Sequence, residues 1–135
     1  MPSSERRLAS VRLLIPRLPA TFSAWALPCG MQTIGASMQM LRAGEKTKAH
    51  RHTGSFIYHV AKGCGYSIVG GRRFDWQERD IFCVPSWSWH EHGNASGSED
   101  ACLFSFNDLP VIESLGLYRE EAYGDNAGYQ VALSQ

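Results

Sequence analysis

The sequence predicts an all-β protein, an antiparallel sandwich or barrel built as one domain. Three observations carry that expectation. Short apolar runs recur at roughly ten-residue spacing from about residue 30, with turn residues between them. A Gly70-Gly71 pair separates two of these runs and signals a tight hairpin. No long segment in the middle of the chain repeats with helical period.

The elements follow in order. Met31–Leu41 alternates loosely and ends at the turn Arg42-Ala-Gly44. Ser55–Ala61, rich in Phe, Ile, Tyr and Val, is a strand that stops at Lys62-Gly63-Cys64-Gly65. Tyr66–Val69 and Arg72–Trp76 are the two arms of the Gly-Gly hairpin. Asp80–Val84 is a further strand closed by Pro85, and Ser86–His92 is expected to be extended. Asn94–Asp100 is small and polar, a turn before the strand Ala101–Asn107. After Pro110, Val-Ile-Glu-Ser-Leu-Gly fits one or two helical turns.

Length and charge narrow the function classes. The chain has 135 residues, enough for one domain and too few for two. Thirteen Lys and Arg balance thirteen Asp and Glu, so charge gives no reason to expect nucleic acid or an anionic membrane as partner. The longest apolar runs, such as Ile81–Pro85, fall far short of the roughly 20 residues that span a bilayer. Residues 1–24 read as an N-terminal arm, basic through Arg6, Arg7, Arg12 and Arg17, and residues 25–135 as the single domain. The arm's apolar cluster at Val11–Ile15 is too short and too charged for a secretory signal. Cys29, Cys64, Cys83 and Cys102 are spread widely with no C-x-x-C pair. They read as buried or half-buried free thiols in a reducing, cytoplasmic setting.

Five histidines occur, and four form two pairs, His50-Arg-His52 and His90-Glu-His92. Side chains two apart on a strand share a face. His50 and His52 can therefore reach one ion, and a barrel brings His90 past the same interior point. Three imidazoles suit Fe, Mn, Ni, Cu or Zn and leave coordination positions open. Parity turns Glu91 away from the face used by His90, so three histidines are favoured over two with a carboxylate. It sends Glu91 to solvent or a neighbouring strand. His59 has the opposite parity to the first pair and reads as structural.

These residues resemble a cupin. Gly44, His50, His52 and Gly63 fall on the frame of the first cupin motif, with Phe56 where the frame has a glutamate. Pro85, His90 and Asn94 fall on the second, with Arg79 and Trp87 where it has glycines. Within cupins the chain is similar to the gentisate 1,2-dioxygenase family, from about Trp25 to Glu121. The strings are Gln32-Thr-Ile-Gly-Ala36, His50-Arg-His-Thr53, Val84–His92 and Leu117-Tyr-Arg-Glu-Glu121. The family's enzymes are two-cupin chains, and the ending at Leu117–Glu121 is most like their C-terminal cupin.

The resemblance implies a double-stranded β-helix (jelly-roll) barrel with a short C-terminal helix. It implies Fe(II) on His50, His52 and His90, with Mn, Ni or Zn as other divalent candidates. The implied activity is oxidative ring cleavage of a hydroxylated aromatic acid with O2, a step in aromatic compound degradation. His92 and Gln39 correspond to catalytic positions. Tyr58, Trp87, Trp89 and Phe106 are candidate pocket walls, the tryptophans and Phe106 alternatively plain core. The family's iron-bearing cupin carries an arginine where this chain has Tyr58. A non-catalytic metal-binding cupin, or a detached structural half that binds a small aromatic acid, is therefore the rival reading. An exposed barrel edge would favour a homo-oligomer.

Overall fold

The computed structural model describes the backbone of residues 23–27 and the full residues 31–133. Among the described residues, ten strands form two antiparallel sheets. The strands are β1 (Ser23–Leu27), β2 (Gly35–Leu41), β3 (His50–His52), β4 (Phe56–Lys62) and β5 (Cys64–Val69), then β6 (Arg72–Gln77), β7 (Ile81–Val84), β8 (His90–Asn94), β9 (Ala101–Asn107) and β10 (Glu120–Ala122). One sheet runs β1-β2-β9-β4-β7 and the other β10-β3-β8-β5-β6. Successive strands repeatedly change sheet, as in a jelly roll, so the expected all-β barrel is the observed one. The expected arm lies outside the described residues, except that residues 23 and 24 begin β1.

Alternation explains which side chains enter the barrel. Phe56, Tyr58 and Val60 on β4 are buried, while Ile57 and His59 face outward. Ala101, Leu103 and Ser105 do the same on β9. Phe56, Tyr58, Val60, Ala101 and Leu103 join Leu41, Trp76 and Val84 in one apolar cluster, each large member contributing about 1.5–3 kcal/mol on burial. Ser37 and Ser105 meet across β2 and β9 through a 2.7 Å hydrogen bond, so these polar groups enter without loss of partners. Gly65 is required because Trp76 packs where its Cβ would stand.

The hairpin between β5 and β6 pairs Val69 with Arg72, and Gly70 and Gly71 have φ of 57° and 78°. Positive φ at both positions is the type I′ turn that matches strand twist.

A helix, α1 (Leu109–Ser114), begins with Pro110 in its first turn, in line with the expected helical turns. The N–H of Leu117 donates to the Ile112 carbonyl, and that of Gly116, at φ 67°, to Glu113. This Schellman closure sends the chain back toward β3, where the Thr53 N–H donates to the Arg119 carbonyl and the Arg119 N–H to the Thr53 hydroxyl, both at 2.9 Å. No helix among the described residues is long and apolar enough to cross a membrane.

Two local expectations are corrected. Ser86–His92 is not one extended run. Residues 86 and 87 form a turn, and the strand starts at His90. The turn is fixed by Trp87, whose φ is 63° and whose N–H donates to the His52 carbonyl at 2.8 Å. Cys64 and Cys83 are exposed rather than buried, and Cys102 is half-buried; all three are free thiols.

Candidate metal centre

The candidate metal-binding face belongs to the second sheet. β3 and β8 pair with His50 opposite His90, so alternation sends His50, His52, His90 and His92 into the barrel together. One candidate nitrogen from each of His50, His52 and His90 lies within 4.8 Å of the other two. The ring centroids of His50 and His90 are 4.3 Å apart, and those of His52 and His90 4.8 Å.

The three rings are oriented by main-chain carbonyls. Nδ1 of His50 lies 3.1 Å from the Lys48 carbonyl, that of His52 3.2 Å from Thr53, and that of His90 2.9 Å from Ser88. A carbonyl only accepts, so each Nδ1 carries the hydrogen, and in the neutral ring each Nε2 keeps its lone pair. Burial holds His52 below the usual imidazole range, with His50 adding to the effect. It drives His90 down to about 3, again helped by its histidine neighbours. Neutral imidazoles with Nε2 lone pairs converging inside a barrel are the donor set a divalent transition metal needs. The cluster contains no carboxylate among the described residues. Phe56, which fills the frame's glutamate position, puts its ring 4.9 Å from His52.

His92 is built differently. It is 1% exposed, and its Nδ1 meets the Ser67 hydroxyl at 2.7 Å. Trp76 donates its indole N–H to that same oxygen at 2.9 Å. Burial, then the neighbouring histidines, keeps His92 well below the usual imidazole range. Its Nε2 is buried without a hydrogen-bond partner, as is Nε2 of Gln39 on the opposite sheet. Ser67 was not singled out from the sequence. A lone serine among Tyr, Ile and Val gives no signal until the register places it opposite His92.

The expected pocket walls divide. Tyr58 is buried and packs edge-on against His92 at 4.9 Å and flat against Phe82 at 5.1 Å. Trp87, Trp89 and Phe106 do not line the interior. Phe106 is 51% exposed on the outer side of β9, edge-on to Phe104. Trp87 and Trp89 share the parity of Arg51, whose guanidinium lies 4.5 and 4.4 Å from their rings on the outside of β3. Arg51 also pairs with Glu121 of β10 at 2.6 Å. This outer clamp holds β10 against β3.

Glu91 faces outward, as parity requires, yet it is buried. The C-terminal segment covers it: the Gln130 N–H donates to its carboxylate at 2.8 Å, and the Gln130 side chain bonds Ile68 and Gly71. Burial raises the Glu91 carboxyl above its ordinary range, more than the Gln130 bond lowers it. His59 is exposed on the far sheet.

The model of the Cupin domain family matches residues 37–107. A 5-aminosalicylate 1,2-dioxygenase of Comamonas sp is 45% identical over 105 residues, 78% of this chain and 28% of that protein. A gentisate 1,2-dioxygenase of Aquipseudomonas alcaligenes is 37% identical over 67% of this chain and 25% of its own length. A crystal structure of a variant salicylate 1,2-dioxygenase from Pseudoaminobacter salicylatoxidans, in complex with gentisate, superposes with a TM-score of 0.76. It is 26% identical, over 90% of this chain and 36% of that one. The chain thus spans about a quarter to a third of the length of these relatives.

Proposed function

Because the chain belongs to the cupin family, and its relatives are named as dioxygenases of salicylate and gentisate type, we propose that it is an Fe(II)-dependent dioxygenase opening the ring of a hydroxylated aromatic acid. The observation that carries this reading is the three-histidine cluster beside two buried nitrogens, of Gln39 and His92, that lack partners.

Iron(II) bound there would supply Lewis acidity and a redox-active centre for O2 and substrate. His50, His52 and His90 would hold it through Nε2. Three neutral ligands leave the ion's full double charge uncompensated inside the barrel, which favours an anionic ligand. A carboxylate with an adjacent hydroxyl meets that need. Gln39 and His92 offer N–H donors to its oxygens from the two opposing sheets. Tyr58, packed against His92 and Phe82, presents an aromatic wall. The same donor set accepts Mn, Ni or Zn, so ligand chemistry alone does not select iron.

The rival reading, a metal-binding barrel without turnover, draws on Tyr58. It stands where the iron-bearing cupin has an arginine, and burial keeps its phenol un-ionised. Exposed Ile57, Ile81 and Phe106 on the outer face of the first sheet support association with a second copy. Exposed free thiols at Cys64 and Cys83 support a reducing, cytoplasmic location.

The test loads the purified chain with Fe(II) without air and then adds gentisate and O2. Oxygen uptake matched one-to-one by ring-opened product is expected. Full iron occupancy with no oxygen uptake would replace the enzyme with the non-catalytic barrel. Native mass, measured on the same sample, is expected to exceed that of one chain.

A further inference from the structure

We infer that Ser67 and Trp76 are positioning residues that hold His92 in the tautomer opposite to that of the three ligand histidines, with its hydrogen on Nε2 and aimed into the barrel.

The hydrogen-bond inventory leads there. Indole nitrogen only donates, so the 2.9 Å contact from Trp76 uses a lone pair of the Ser67 oxygen. Ser67 is fully buried, and the other partner of its hydroxyl is Nδ1 of His92, at 2.7 Å. The serine hydrogen needs an acceptor. Trp76 offers none, whereas an unprotonated Nδ1 does. A single directed chain follows: Trp76 N–H to the Ser67 oxygen, Ser67 O–H to Nδ1 of His92. The ring's hydrogen then sits on Nε2. A neutral His92 with its hydrogen on Nδ1 would give the serine oxygen two donors and strand its own hydrogen in a dry interior.

Sequence neighbours on one face of β8 thereby present opposite polarity. His90 turns a lone pair inward, because a carbonyl holds its Nδ1 hydrogen. His92 turns a hydrogen inward, because a hydroxyl donates to its Nδ1. A ring with Nε2–H cannot be a fourth metal ligand through that nitrogen. It is a hydrogen-bond donor for an oxygen held near the ion. Donation to a substrate carboxylate or phenolate rests on the proposed function; the tautomer itself does not.

Nitrogen-15 spectra of histidine side chains in the metal-free protein read the tautomers directly. His50, His52 and His90 are expected with the hydrogen on Nδ1, and His92 with it on Nε2. A neutral His92 carrying its hydrogen on Nδ1 overturns the inference with no variant needed. Ser67→Ala is expected to let the Nδ1–H form appear at His92 alone, Ser67→Thr to restore the wild-type pattern, and Trp76→Phe to fall between. His50, His52 and His90 report on folding in each variant. If His92 in folded Ser67→Ala keeps the wild-type spectrum, Ser67 has no positioning role and the proposal falls. Correct tautomers without turnover would remove the dioxygenase reading and leave this one standing.

Discussion

The two His-x-His pairs share one spacing and one sheet face, yet the protein uses them differently. In the first pair both rings donate from Nδ1 to main-chain carbonyls, and both join the candidate metal cluster. In the second the rings part company. His90 follows the first pair, while His92 meets a serine hydroxyl and lies outside the cluster. Spacing selects which histidines meet; the partner at Nδ1 selects what each can do.

The largest expected effect separates the members of the second pair. His90→Ala should cut divalent-metal affinity by more than about 100-fold, since loss of an outer-shell partner alone costs 10–100-fold. His92→Ala should change it by less than about 10-fold. Titration calorimetry on both variants, with circular dichroism as the folding check, measures the difference. Equal losses would erase the distinction.

Acid should weaken the metal-free protein through the same rings. The folded pKa of His90 lies near 3, below the ordinary value of 6.5. The unfolded chain therefore binds more protons, and stability present above pH 6.5 is lost as pH falls toward 3. Between pH 7.5 and 5, His90 alone should cost about 2 kcal/mol, at ~1.4 kcal/mol per unit below 6.5. His52 and His92, lowered by the same burial, add in the same direction. Urea denaturation at the two pH values reads the sum. A stability unchanged by acid would mean that the rings are not held neutral.

The smallest effect concerns the residue between His90 and His92. Glu91→Gln keeps the acceptor for the Gln130 N–H, and the carboxyl is already pushed toward neutrality. Stability should shift by less than about 1 kcal/mol, within the range of one neutral hydrogen bond, and metal affinity should not move. A large loss of metal would make Glu91 a ligand and break the parity assignment.

Parity carried most of what was legible beforehand. It put the three candidate ligands and His92 on one face and turned Glu91 away. Applied one residue further, it would also have placed Trp89 outside, because Trp89 adjoins His90. Phe106 was harder. On β9 the inward Ala101, Leu103 and Ser105 look less apolar than the outward Phe104 and Phe106, so hydrophobicity misleads. Glu120–Ala122 carries no strand signal of its own. It becomes β10 because the Gly116 turn and Thr53 bring it to β3. Ser67 and the cover over Glu91 depend on register and on the returning C-terminal segment, which no local pattern announces.

The glycine positions of the second cupin frame are instructive here too. Arg79 and Trp87 replace those glycines but keep left-handed backbone, with φ of 78° and 63°. The turn survives the change of residue, at a strain of about 1–2 kcal/mol for each.

The carbonyls behind the three ligand rings have a consequence for the history of such a site. Each belongs to a residue within two positions of its histidine: Lys48, Thr53 and Ser88. A codon change at any of them alters a side chain and leaves the carbonyl where it was. The geometry of the three rings is thus buffered against mutation in its surroundings. His92 has no such insurance, because its orientation depends on two side chains that single nucleotide changes can remove. Chains descended from one metal-binding ancestor are expected to keep the ion and to diverge first in what is done beside it.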